Sequence, residues 1–220
     1  MFKNKFLFAL TVAFLFDINV INGATMQKKM TVKEKKQRFF SMVLPAINQV
    51  YDELEQQYNK TKILIEQNPN STQIKNLMQD YSAKDPQDLL IRLKPHPKSI
   101  ALAQAAIESA WGTSRFFRVA NNVFGVWSFN ADEPRVAASQ KRGSTTIYVK
   151  KYNSILHSTR DYYKVLATGK AFEDFRIKKV QTNNPQILVK YLKKYSEMGG
   201  LYDKELSSMI RYNKLTKYDY

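Results

Sequence analysis

The chain has 220 residues, 44% of them hydrophobic, which is enough to bury one core or at most two and excludes a disordered chain. It has no cysteine, so disulfides, thiolate metal sites and lipid attachment through cysteine are excluded, and its formal net charge of +16 directs it toward anionic partners. Only two histidines are present, His96 and His157, with no helical His-x-x-x-His pair, so neither a metal nor another cofactor is expected.

At the N-terminus Lys3 and Lys5 precede FLFALTVAFLF, and the small residues Gly23 and Ala24 follow. This is the pattern of a secretory signal peptide over residues 1–24, with export to the periplasm or cell envelope as its consequence. The apolar run is too short to span a bilayer comfortably and Asp17 blocks its extension, which makes an uncleaved anchor the weaker alternative. Removing residues 1–24 leaves the chain strongly basic. Its basic residues are dispersed at solvent-facing helical spacing without a nucleic-acid motif, so anionic envelope polymers or a lipid surface are the expected partners and nucleic acid is not.

Residues 25–97 read as a linker and a helical extension. Phe39, Met42, Val43, Leu44, Ile47, Val50, Tyr51 and Leu54 fall at helical spacing between Arg38 and Tyr58, and Pro45 should kink that helix or mark its true start. A second helix is expected over Thr72 to Tyr81, with Pro86, Pro95 and Pro97 punctuating the approach to the next. These segments are expected to bury one face against the outside of the core.

The run from Ile100 to Trp127, IALAQAAIESAWGTSRFFRVANNVFGVW, places Glu108 near the end of an otherwise apolar helix, with Gln104 one turn earlier on the same face. Burial and the negative end of the helix dipole both disfavour the ionised carboxyl, so its pKa should rise. A carboxyl protonated near neutral pH is what protonation of a leaving sugar oxygen requires. The same residue could equally tie the helix end to the following loop by hydrogen bonds. Trp111 is placed to wall the acid or to close the core. Asn121, Asn122, Phe124 and Trp127 are candidates to hold a sugar ring, although Asn122 and Gly125 are also what a tight turn needs.

Short strands are expected at Val136 to Ala138 and Thr145 to Val149, turning at Gly143, as a small lobe facing Glu108. Helices resume after Asn153 or Ser154, end near Gly169, restart near Ala171, and begin again with Asn184 as cap and Pro185 in the first turn. The last helix is expected over about Tyr202 to Lys214. The expected fold class is therefore mainly α (α+β), a helical core with one β-hairpin lobe.

AQAAIESAWGTSRF followed by NNVFGVW resembles the signature of the glucosaminidase family of peptidoglycan hydrolases, a lysozyme-like group that includes flagellar rod-assembly hydrolases and autolysins. KYNSILHSTRDYYKVL is similar to the family's next segment, and AFEDFR with YSEMGGLYDKELSSMIRYNKLTKYD resembles its Bax-type bacterial branch. The resemblance implies a lysozyme-like catalytic domain over residues 98–220, with Glu108 as general acid for cleavage of the β-1,4 bond after N-acetylglucosamine in peptidoglycan strands. Many relatives carry a glutamate in a Thr-x-Glu-Tyr stretch on the lobe, but this chain has RGSTTIYVKKY. Its second catalytic group is then either Glu133 as base, or the sugar's own N-acetyl oxygen steadied by Tyr152. A lytic transglycosylase and a non-catalytic wall-binding or assembly protein remain the alternatives, and the sequence leaves the oligomeric state open.

Overall fold

The computed structural model describes residues 30–142, 145–196 and 199–220, with side chains at 139–142 and 199 left aside. The signal segment and the turn at Gly143 lie outside the described residues.

The chain opens with a long helix, α1 (Val32–Gln67), started by a capping box in which Thr31 accepts from the Glu34 amide and Glu34 reaches back to the Thr31 amide. It runs through Pro45. The proline therefore does not mark the start, because Thr31 supplies a cap and the residues on either side keep the apolar stripe. Phe39, Val43, Ile47 and Val50 of that stripe are buried in the same core as the later helices. The extension is thus one wall of the main core. Helix α2 (Thr72–Tyr81) has the expected bounds, and Pro86 opens a further helix, α3 (Pro86–Leu93), capped by Asp85. Ile65, Ile74, Tyr81, Leu89, Leu93 and Ala167 form a second, smaller apolar cluster where α1, α2 and α3 meet.

Helix α4 (Lys98–Glu108) is buried along most of its length, from Ser99 to Ala106. Its N-terminus is held from the far end of the chain: Asp219 accepts from the Ser99 amide at 2.7 Å and from the Ser99 hydroxyl at 2.8 Å. A carboxylate there satisfies otherwise orphaned donors and complements the helix dipole. Beyond Glu108, Ala110, Trp111 and Gly112 all take positive φ (50°, 58° and 73°). Ser109 secures this left-handed turn by donating to the Ala105 carbonyl and accepting from the Gly112 amide.

A short helix, α5 (Arg115–Ala120), follows and ends at Asn121 in the left-handed conformation. Strands β1 (Arg135–Arg142) and β2 (Thr145–Lys150) pair antiparallel, with the register irregular between Ala137 and Lys141. The loop after α5 is laced to β2, because Ser128 donates to the Tyr148 carbonyl and the Lys150 amide to the Val126 carbonyl. Helix α6 (Ile155–Thr168) starts at Ser154 as cap, and α7 (Glu173–Gln181) and α8 (Pro185–Leu188) follow, the last with Asn184 as cap. Short 3-10 turns lead to α9 (Tyr202–Tyr212) and to a final one at Leu215–Tyr218. The architecture is mainly α, a lysozyme-like helical core with one small hairpin.

Candidate active site

Glu108 is the last residue of α4 and is partly buried. Tyr202, at the start of α9, donates its hydroxyl to Glu108 Oε1 at 2.8 Å. Burial pushes the Glu108 carboxyl up to about 8, the carboxylate of Glu205 pushes in the same direction, and the Tyr202 hydrogen bond opposes both. Desolvation therefore wins, and the group is protonated at neutral pH. The other oxygen, Oε2, lies beside Gly125, where an added Cβ would stand 3.4 Å from it. Gly125 has φ +65°, so its backbone fold and its missing side chain both serve the space next to the acid.

The Tyr202 hydroxyl is the end of a buried chain of hydrogen bonds. Gln104 Nε2 donates to it at 3.1 Å, and the Tyr162 hydroxyl donates to Gln104 Oε1 at 2.7 Å. His96 Nε2 stands 3.0 Å from the Tyr162 oxygen. Burial and the nearby Lys179 ammonium hold the His96 imidazole well below its ordinary pKa, so it is neutral. With the Tyr162 hydrogen committed to Gln104, His96 must be the donor. Every hydrogen in the series His96, Tyr162, Gln104, Tyr202 then points toward Glu108. Gln104 thus touches the acid through Tyr202, a place for orienting the carboxyl.

A second polar cluster sits at the foot of the hairpin. Tyr152 donates to Asp161 Oδ2 at 2.6 Å, Lys150 Nζ lies 3.0 Å from the same oxygen, and Glu133 lies 3.7 Å from Lys150. Burial, then the Asp161 carboxylate, push the Tyr152 phenol far up, so it stays neutral, and with its hydrogen given to Asp161 its oxygen accepts from any further partner. Two residues singled out in the sequence, Tyr152 and Glu133, are brought together here through Lys150 and Asp161. Tyr195 feels both clusters: burial, then the charges of Glu108 and Asp161, raise its phenol, and its hydroxyl donates to the Phe124 carbonyl at 2.9 Å.

The remaining candidates serve the scaffold more than a ligand. Asn122 is 1% exposed and donates to the carbonyls of Val126 and Lys150 while accepting from the Val126 amide. Asn121 donates to the Tyr152 carbonyl, so both asparagines tie the loop to the hairpin. Phe124 is fully buried and stacks on Tyr162 at 3.9 Å, which places it in the core rather than against a sugar. The Trp111 ring packs edge-on against Phe39 and Phe40 of α1, closing the core. Trp127 is largely buried, but its neighbour Phe129 presents an exposed ring 6.1 Å away between centroids.

Sequence reasoning missed Tyr202, Tyr162 and Glu205, and it read Gly125 as a turn residue, which its φ of +65° bears out, without its place beside the acid. The first two carried a signal, since a tyrosine hydroxyl on an apolar stripe such as Tyr202, Leu206 and Ile210 must find a buried partner. Glu205 lies outside the interval in which a second acid was sought; burial raises its carboxyl, and its Oε2 is buried without a hydrogen-bond partner. Among the described residues no cluster of His, Asp or Glu could hold a metal ion.

With a buried carboxyl at the end of an apolar helix and one small hairpin, the mainly helical core is of the lysozyme-like fold class. The chain belongs to the glucosaminidase family, whose model, described as mannosyl-glycoprotein endo-beta-N-acetylglucosaminidase, matches residues 87–215. It is 29% identical over 132 residues to the protein bax of Escherichia coli K12, covering 57% of this chain and 46% of that one, so it spans about half the length of this curated relative. In fold it is similar to the catalytic domain of the autolysin Auto from Listeria monocytogenes, with TM-score 0.51 and 20% identity over 88% of this chain and 93% of the other. It is also similar to an N-acetylmuramoyl-L-alanine amidase from Staphylococcus aureus, with TM-score 0.52 and 18% identity over 85% of this chain and 44% of that one.

Proposed function

We propose that this protein is a peptidoglycan hydrolase that cleaves the β-1,4 bond after N-acetylglucosamine, with Glu108 as general acid. The observation that carries this reading is the Glu108 carboxyl itself, raised to about 8, with Oε1 held by Tyr202 and Oε2 beside the side-chain-free Gly125. The oxygen not engaged by Tyr202 is the one to carry the proton and hand it to the departing sugar oxygen. Membership of the glucosaminidase family and the autolysin-like fold support the substrate class.

The attack is assigned to the substrate's N-acetyl oxygen, which bonds the anomeric carbon as the bond to the leaving sugar breaks. Water, losing its proton to the Glu108 carboxylate, then opens the resulting oxazolinium to a reducing N-acetylglucosamine end and restores the acid. Tyr152, oriented by its bond to Asp161, stands as the group that steadies the acetamide, its oxygen accepting from the acetamide N–H. Glu133 is less suited to act as base because Lys150 draws it into the cluster as an ion-pair partner. Phe129 offers an exposed ring on which a pyranose could stack. The setting is the cell envelope, reached through the signal segment at residues 1–24, and the basic surface holds the enzyme to anionic wall polymers.

The test is mass spectrometry of soluble products from purified peptidoglycan, with Glu108→Gln run alongside. Reducing N-acetylglucosamine ends that vanish in the variant are expected. Anhydromuramyl ends would reassign the chain to the lytic transglycosylases, and an absence of products with glycan binding intact would make it a wall-binding protein.

A further inference from the structure

On another face of α6 a cavity of about 420 Å³ opens between α1, α3, α6 and α7, and Glu108 is not among its lining residues. This volume lies within the ordinary range for small-molecule sites. One wall is apolar or aromatic, including Tyr163, Leu166 and Ala167, and the other is strongly basic.

Most of the cations are already matched. Arg160 forms a two-pronged pair with Glu53 at 2.7 and 2.9 Å, and Lys164 bonds Asp80 at 2.6 Å. Arg92 is held by Asp88 at 2.9 Å and by two backbone carbonyls. Asp161, the remaining acid in the lining, is taken by Tyr152 and Lys150. Lys179 is different. It is 4% exposed, and its ammonium has one hydrogen bond, to the Arg92 carbonyl at 3.3 Å, with no carboxylate beside it among the described residues. Burial, then Arg176, Lys94 and Arg92, push its pKa down to about 7. Lys94, which also lines the cavity, forms no ion pair among the described residues. An anion entering this cavity would therefore pair with a buried cation that the protein itself leaves without a counter-charge.

We propose that the cavity binds a phosphate or sulfate group, free or carried on a small uncharged body, with the anion on the Lys179 ammonium beside Lys94 and any body against Tyr163, Leu166 and Ala167. The donors left unspent are point donors, which suit a tetrahedral oxyanion, whereas the flat guanidinium forks that suit a carboxylate are already occupied. This site is independent of the hydrolase reading.

The experiment is calorimetric titration of the full chain with inorganic phosphate, sulfate and glucose 6-phosphate, ionic strength being held constant with chloride. Saturable binding at one site is expected. Lys179→Met should remain folded, because an apolar chain of similar length replaces an unmatched buried charge, and should lose at least about tenfold in affinity, as for one charge-assisted hydrogen bond. Lys94→Ala should weaken binding in the same sense, and Lys75→Ala, an exposed lysine on α2, should not. Tighter binding of glucose 6-phosphate than of phosphate would assign the site to an ester, and equal binding to the free oxyanion. Absence of saturation, or equal affinity in folded Lys179→Met, would overturn the proposal and reduce the effect to general attraction by a basic chain.

Discussion

Tyr202 holds Glu108 by a 2.8 Å hydrogen bond between residues 94 apart in sequence, and it is the nearest member of a polar series that leads back to His96. Tyr202→Phe removes the donor that favours the carboxylate and leaves the Gln104 amide without its acceptor. Unfolding stability should fall by about 1–3 kcal/mol, the cost of stranding a buried polar group. Turnover should fall further than substrate binding, and denaturation beside a steady-state assay separates the two.

The raised carboxyl of Glu108 fixes the sign of two pH effects. The unfolded chain ionises this acid near the ordinary value of 4.5, and the folded chain near about 8. Between those values the unfolded state has released a proton that the folded state keeps, so rising pH costs stability through that window and no more above it. Glu108→Gln abolishes the cost. The variant's stability advantage over the natural chain should therefore grow between pH 5 and 8 and then level off, as read by chemical denaturation.

Activity should follow the protonated form and decline on an alkaline limb centred near pH 8. Glu205→Gln removes the negative neighbour that raises Glu108, so the limb should move to lower pH while the acidic side stays in place. A limb unmoved in that variant would mean that Glu205 does not act on the acid.

Gly125→Ala joins two penalties. The left-handed backbone there costs an ordinary residue about 1–2 kcal/mol, and the new methyl stands against Glu108 Oε2. Melting should drop modestly, but glycan cleavage should drop by more than that loss of folded protein explains. Gly112→Ala makes the control, since its methyl would meet Phe117 and Met42 instead of the acid.

Tyr152→Phe and Glu133→Gln distinguish the two ways of completing the reaction. Loss of the phenol should reduce cleavage by at least about tenfold, in line with losing one hydrogen bond that holds the attacking acetamide in place. Loss of the Glu133 carboxylate should leave most activity in place. The reverse ranking would make Glu133 the base.

The helical framework was legible wherever local rules decide it. Ser71, Ser154 and Asn184 act as the caps that their residue types suggest, and α2 and α6 begin accordingly. Glu108 was legible as a buried, raised carboxyl because it is the one acid on an otherwise apolar helix. Helix α3 was not legible, since eight residues between prolines show too little periodicity to separate them from a loop. Phe124 and Asn122 read as sugar contacts because aromatic and amide groups bind sugars, yet the same groups also fill cores and staple loops, and only burial tells the two uses apart. The His96 to Glu108 series joins three separate stretches of chain, and no spacing rule reaches across them.

Helix α4 is secured at both ends by residues far downstream of it. Asp219 ties its first turn and Tyr202 its terminal acid, about a hundred residues after the groups they hold. A nascent chain that has only just passed Glu108 holds the acid without either tether. The raised carboxyl is thereby a property of the assembled fold and not of the helix alone, and it is acquired only once the segment from Tyr202 to Asp219 has been made and has docked.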